Sequence, residues 1–257
     1  MTTRKKDEAP PVDNPERRYW ALFSGGKDSI TTAHVLHERG QLAGCVFIDT
    51  TIKTPDVVPH IKSVCEKFSW PLEIYTTTYP YEKFVRKYGF PGPSAHFLVM
   101  NYLKGRGVRQ FKKAHPGEFL ASGVRTGESR RRLGNAKEWS KFEGVWVYAP
   151  ILGWTDERVW EYINKNGLPR SPAYKTLHIS GDCLCGSFAK KEEAGMIQMF
   201  YPGVAQQIEA LEAELDASGH KHNRWGRTGL TETRTQKKQT PLSILCAECD
   251  ILSSEDK

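Results

Sequence analysis

Short apolar runs alternate along the chain with stretches whose apolar positions recur every three or four residues. The run Tyr19-Trp20-Ala21-Leu22-Phe23 reads as a first strand, and Ile30, Ala33, Val35 and Leu36 as the inner face of a helix stopped at Gly40. Gly44-Cys45-Val46-Phe47-Ile48 reads as a second strand. A helix opening at Pro55 follows, with Val58, Ile61, Val64 and Phe68 on one face, and then a third strand, Leu72-Glu73-Ile74-Tyr75. Residues 80–113 are expected to be helical in two pieces on either side of Pro91-Gly92-Pro93. Fourth and fifth strands are expected at 119–122 and 145–148. Thr155 is placed to cap a helix that carries Asp156 and Glu157 in its first turn, with Val159, Trp160 and Ile163 inward; Asn166-Gly167-Leu168-Pro169 ends it.

Strands alternating with helices at this interval predict an α/β fold of three layers around a mainly parallel, five-stranded sheet. Residues 1–18 read as a disordered polar tail, 19–168 as the main domain, and 169–257 as a loop-rich, partly helical, cysteine-containing C-terminal region. In the last, Ile208, Leu211 and Leu215 form a packing stripe.

The first strand breaks into Ser24-Gly25-Gly26-Lys27-Asp28-Ser29, and a helix begins at Asp28 or Ser29. Two glycines remove the side chains that would keep a phosphate from backbone N–H groups, and the helix aims its positive end at the same place. Ser24 and Ser29 add hydroxyls and Lys27 a mobile charge, so the stretch reads as an anion cradle. Ligands in open parallel sheets sit beyond the carboxyl ends of the strands, where Asp49-Thr50 and Gly123-Val124-Arg125 also fall. The Arg125 fork suits bidentate bonds to a phosphate or sulfate. The consecutive Arg130, Arg131 and Arg132 cannot all face one ligand and read as solvated.

Composition changes the picture in two places. The formal net charge of +7 favours anionic partners, nucleotide or nucleic acid, without separating them. For the basic stretch from Lys104 to Lys113, a solvated helix end and an anion-binding surface fit equally well. Of six cysteines, Cys45 and Cys65 fall in apolar runs and read as buried thiols, whereas Cys183/Cys185 and Cys246/Cys249 form two close pairs. Such pairs ask for a metal, and four thiolates suit either a [4Fe–4S] cluster or tetrahedral zinc. His178, His220 and His222 read as exposed. No apolar run is long enough to cross a membrane and no signal-type segment opens the chain, so a cytoplasmic location is expected.

The stretch from Ser24 to Ser29 matches the Ser-Gly-Gly-x-Asp-Ser signature of the PP-loop ATP pyrophosphatases. More widely, residues 19–188 resemble the phosphoadenosine phosphosulfate (PAPS) reductase branch of that superfamily. The landmarks are Phe47-Ile48-Asp49-Thr50, Ser122-Gly123-Val124-Arg125-Thr126-Gly127-Glu128-Ser129-Arg130, Pro150-Ile151-Leu152-Gly153-Trp154-Thr155 and Leu168-Pro169-Arg170-Ser171-Pro172-Ala173-Tyr174. The resemblance implies an adenine nucleotide alpha hydrolase-like fold, ATP with Mg²⁺ cleaved between its α and β phosphates, and a nucleotide held by Ser24, Gly25, Gly26, Lys27, Asp28, Ser29, Asp49, Thr50, Gly123 and Arg125. Lys27, Asp28 and Arg125 would be catalytic.

Sulfonucleotide reductases of this branch carry a C-terminal Glu-Cys-Gly-type segment, and Cys249-Asp250-Ile251-Leu252 does not match it. The expectation is therefore an iron–sulfur ATP pyrophosphatase, with Cys183, Cys185, Cys246 and Cys249 holding the cluster and zinc as the alternative. It would adenylylate an acceptor for sulfur incorporation, resembling components of DNA phosphorothioation systems and tRNA thiolases. Its partners would be DNA or tRNA, a cysteine desulfurase or other sulfur carrier, and a second copy of itself. An APS (adenylyl sulfate) or PAPS reductase, or a nucleotide sensor without turnover, are the alternatives.

Overall fold

In a computed structural model of the 257-residue chain, residues 11, 14–128, 136–226 and 229–230 are described. The elements are β1 (Tyr19–Leu22), α1 (Lys27–Glu38), β2 (Leu42–Asp49), α2 (Val57–Lys67), β3 (Leu72–Thr76) and α3 (Tyr81–Tyr88). There follow a helical stretch of α4 (His96–Val99), a π-helical turn (Met100–Lys104) and α5 (Gly105–Ala114), then β4 (Phe119–Ala121), β5 (Trp139–Phe142), β6 (Val145–Tyr148), α6 (Asp156–Lys165), α7 (Glu193–Phe200) and α8 (Pro202–Ala217). Thr155 caps α6 as expected, its hydroxyl accepting the Arg158 N–H at 3.2 Å, a contact worth about 1 kcal/mol.

The strands form one six-stranded sheet in the order β3-β2-β1-β4-β6-β5, parallel throughout except for the β5–β6 hairpin. The expected count of five therefore falls short by β5. This strand is reached through a two-residue turn at Glu143 (φ 52°) and Gly144 (φ 75°), a backbone that matches the twist of tight hairpins. Alternation sorts the strand residues onto two faces. Tyr19, Ala21, Phe23, Cys45 and Phe47 pack with α1, α2 and α6, while Val46, Leu120, Val145 and Val147 pack with Val108 and Phe111 of α5. Three layers result. A third core joins α3 and α4 to α7, α8 and the loops between Leu177 and Leu230, so the C-terminal helices share their interior with residues 81–103.

The sheet grows leftward from β1 to β2 and β3, then resumes on the other side of β1 with β4. Adjacent β1 and β4 thus send their following loops in opposite directions, which opens a crevice at their carboxyl ends.

Candidate nucleotide-binding site

The loop after β1 forms one wall of that crevice. Gly25 turns the chain at φ +74°, and a Cβ there would press on the His60 ring at 3.0 Å. Gly26 precedes the first turn of α1 and offers no side-chain cap, so the positive end of a 12-residue helix is left to face the crevice. Ser29 Oγ donates to the Gly26 carbonyl at 2.9 Å, and Ser24 Oγ donates to Ser29 Oγ at 3.2 Å. These bonds fix the direction of both hydroxyls.

The loop after β4 forms the facing wall, and Gly123 permits it. A Cβ at this position would lie 2.7 Å from the Asp28 backbone, so only glycine lets the two loops touch. Between them lies a cavity of about 420 Å³ floored by Leu22, Val46, Phe47 and Ile48, walled by Met100, Lys104 and Val108, and rimmed by Tyr174, Ser180 and Asp182. An apolar floor below a charged, hydroxyl-rich rim is the usual construction of a small-molecule site.

Four charges close a ring at one end. Arg125, buried at 2% side-chain exposure, donates from Nε to Asp28 Oδ1 at 2.7 Å and from Nη2 to Asp156 Oδ1 at 2.8 Å. Its Nη1 donates to the Trp154 carbonyl at 3.2 Å. Lys27 Nζ bonds to Asp156 and lies 3.5 Å from Asp28 Oδ1. The hydrogen bond from Lys27, reinforced by Arg125, holds the Asp156 carboxyl below its ordinary range. The ring pairs two cations with two carboxylates, and Lys27 is the one of its cations that lines the cavity. The Lys27 backbone N–H donates to the Tyr174 hydroxyl at 3.3 Å, which ties the loop to the segment after α6.

At the other end, Lys104 reaches from the π-helical turn to within 3.6 Å of Asp182. Burial pulls the Lys104 ammonium down, but the negative charge of Asp182 and of the Cys183/Cys185 pair outweighs it and holds the group above its ordinary range. Cys183 and Cys185 are hydrogen-bonded to each other: that bond brings Cys185 down to about 6, and the same bond with burial pushes Cys183 up. A thiol pair sharing one proton beside a lysine is a donor set ready for a soft metal. Among the described residues no group of three or more metal-binding side chains gathers in one place.

The family model of the phosphoadenosine phosphosulfate reductase domain matches residues 18–185, more than half of the chain. The chain belongs to this family. A PAPS reductase of Xanthomonas campestris is 24% identical over 178 residues, covering 64% of this chain and 73% of the relative. Among solved structures, a PAPS reductase of Candida auris in a phosphate complex aligns with 60% of this chain and 74% of its own (TM-score 0.46, 19% identity). The U34-tRNA thiolase NcsA of Methanococcus maripaludis, with its [4Fe–4S] cluster, aligns with 77% of this chain and 66% of its own (TM-score 0.48, 14% identity).

Of the residues the sequence nominates, Ser24, Gly26, Lys27, Asp28, Ser29 and Gly123 line the cavity of this family member, and Gly25 shapes the loop behind it. Asp49, Thr50 and Arg125 stand elsewhere. The Asp49 carboxylate accepts the Thr51 N–H at 2.8 Å and binds Lys53 through both oxygens at 2.9 Å. The Thr50 hydroxyl is buried without a hydrogen-bond partner among the described residues. The Arg125 fork, nominated for an anion, is occupied by the carboxylates of Asp28 and Asp156. Cys246 and Cys249, with Ser129 and Arg130 to Arg132, lie outside the described residues. Four more residues line the cavity: Lys104, read only as part of the basic stretch, Tyr174, read only as part of a family landmark, and Ser180 and Asp182, which the sequence reading did not name. The sequence does carry a faint signal for the last two: Ser180-Gly181-Asp182 is a glycine-centred polar loop just ahead of the cysteine pair. Among the described residues no helix is long and apolar enough to cross a membrane.

Proposed function

We propose that the chain is a PP-loop ATP pyrophosphatase that adenylylates an acceptor for replacement of oxygen by sulfur, with DNA or tRNA as the acceptor. The observation that carries this reading is the cradle of residues 24–29 opening, at the helix N-terminus, into the cavity between β1 and β4. Its apolar floor suits a nucleoside, and its hydroxyls, N–H groups and Lys27 suit phosphates.

In this reading an acceptor oxygen attacks the α-phosphorus and releases its proton to solvent. The bond from that phosphorus to the α–β bridging oxygen breaks, and pyrophosphate leaves with the electron pair. Ser24, Ser29 and the first-turn N–H groups of α1 meet the charge that develops on the leaving group, and Lys27 swings from Asp156 to join them. Mg²⁺ bound with the phosphates would share that charge, and Asp28 and Asp182 are the cavity carboxylates it would meet. A sulfide-level sulfur nucleophile then bonds to the activated atom of the acceptor, and AMP leaves with the former acceptor oxygen and its electron pair.

Cys183 and Cys185 are proposed to hold a [4Fe–4S] cluster together with Cys246 and Cys249, with zinc as the alternative occupant. Trp225 Nε1 donates to the Leu184 carbonyl at 2.8 Å, and a Cβ on Gly186 would meet Gly226 N at 2.9 Å. Residues 225–226 therefore lie against the first cysteine pair, from where the second pair is within reach along the chain. A cluster so held would supply iron that binds sulfur during transfer.

The test is AMP and pyrophosphate release from ATP in the presence of DNA or unmodified tRNA. Acceptor-dependent release that vanishes in Lys27→Met is expected; ATP binding without release under any acceptor would favour a sensor. Sulfonucleotide reduction is a second reading, favoured by the family and by the named activity of the Xanthomonas relative. Sustained sulfite formation from PAPS or APS with thioredoxin would put it first.

A further inference from the structure

The basic stretch from Lys104 to Lys113 does not form one anion-binding face. Lys104 turns into the cavity, and Arg109 is paired with Glu143 at 2.6 Å. Arg106 goes elsewhere, to a surface made jointly with α3. Three half-buried tyrosines meet there: Tyr88 and Tyr102 have ring centroids 5.0 Å apart, and Tyr79 and Tyr102 are 5.8 Å apart. Phe84 beneath them, 5.3 Å from Tyr88, belongs to the core and holds the rings up from below.

Cations surround the rings. Lys83 and Arg106 lie over Tyr79 at 5.3 and 5.1 Å, and Lys87 over Tyr88 at 5.1 Å. Among the described residues none of the three has a carboxylate within ion-pair distance, whereas the neighbouring Arg86 is paired with Glu82 and Glu214. Arg106 Nη1 donates to Thr78 Oγ1 at 3.1 Å, and its buried Nε has no hydrogen-bond partner among the described residues. Tyr102 sits midway between Met100 and Lys104, both of which line the cavity. Two residues on a helix are about half a turn, so Tyr102 faces away from the cavity on the outside of the same wall.

We propose that this surface binds single-stranded nucleic acid, with bases stacked on Tyr79, Tyr88 and Tyr102 and phosphates on Lys83, Lys87 and Arg106. Unpaired bases offer ring faces that a duplex hides, and stacked aromatics flanked by unpaired cations are the chemistry that takes them. The inference deepens the nucleic-acid reading above by naming where the acceptor strand lies, and it rests on that reading only for its purpose.

The test is fluorescence anisotropy of labelled oligouridylate and oligodeoxythymidylate of about 15 nucleotides, measured without ATP across a salt series. Both single strands should bind more tightly than a duplex of the same length. Replacing Lys83, Lys87 and Arg106 together by Gln should make the slope of log affinity against log salt shallower by about two, since each single-strand phosphate contact contributes about 0.7. Tyr88→Leu, which keeps an apolar contact with Phe84, should weaken binding about tenfold. ATP affinity should stay unchanged in both variants, as none of these residues lines the cavity. Duplex bound as tightly as single strand, no single-strand binding, or wild-type affinity in both variants would each overturn the proposal. Because the assay omits ATP, its failure is separate from a failure of pyrophosphate release, which the Lys27→Met comparison reads.

Discussion

Arg125 and Asp28, 97 positions apart in sequence, meet at 2.7 Å where the loops after β4 and β1 cross. The arginine is fully buried and the aspartate half-buried, so the bond locks the backbone of α1's first turn to the other side of the crevice. Arg125→Met would leave the Asp28 charge without its main partner in a site that water only partly reaches. The expected loss is about 2–3 kcal/mol in chemical denaturation, with pyrophosphate release abolished. Unchanged stability would show that the pair is dispensable for the fold.

Asp156 is half exposed and bonds the Lys27 ammonium that is proposed to meet the phosphates. Asp156→Asn removes a negative charge from the anion's surroundings and frees Lys27, while Arg125 keeps Asp28 and the Trp154 carbonyl. ATP should bind about two- to fivefold tighter by calorimetry, the range of an exposed ion pair. Weaker binding would mean that Asp156 positions Lys27 rather than competing for it.

Gly123→Ala places a methyl group 2.7 Å from the Asp28 backbone. The loops must part, at a cost of about 1–3 kcal/mol. Thermal unfolding should show a lowered midpoint, and ATP affinity should fall with it. Gly127→Ala, where a Cβ would meet nothing within 4 Å among the described residues, is the matched control and should leave both unchanged.

Anaerobically purified protein should carry roughly four irons per chain with broad absorbance near 400 nm. Cys185→Ser should lose both. Stoichiometric zinc without iron would put the alternative metal in the site, and neither metal would remove the shared site altogether.

Burial lowers the imidazoles of His34 and His60 below their ordinary value of 6.5. Between the folded and unfolded values the unfolded chain binds more protons, so stability rises with pH through this window. The unfolding midpoint should be flat above about pH 7 and fall as pH drops below 6.5. His60→Leu should flatten part of that decline, and an unaltered profile in this variant would exclude His60 as a source.

The parallel strands and the loop of residues 24–29 were legible because each rests on local pattern: apolar runs, helical spacing, and a double glycine at a helix start. β5 was not, because Trp139-Ser140-Lys141-Phe142 alternates over only four residues and its turn uses Glu143 rather than the asparagine or aspartate that usually marks such hairpins. Arg125 was legible as a residue beyond the end of β4, but its partners were not. Whether an arginine beyond a strand end meets a ligand or a carboxylate depends on Asp156, which arrives from a helix across the fold. Lys104 was hidden for a similar reason. Within a run of basic residues, only the π-helical turn decides which one points inward.

One oxygen of Glu212, a carboxylate wholly buried in α8, accepts the N–H groups of both Trp225 and Leu230, at 2.8 and 2.9 Å. Any shortened version of this protein that stops at the end of α8 would remove both of these N–H donors from a carboxylate that lies inside the fold. The smallest unit worth expressing therefore extends through Leu230, even though the family match ends at Cys185. Trp225 and Leu230 close over the core that α7 and α8 share with α3.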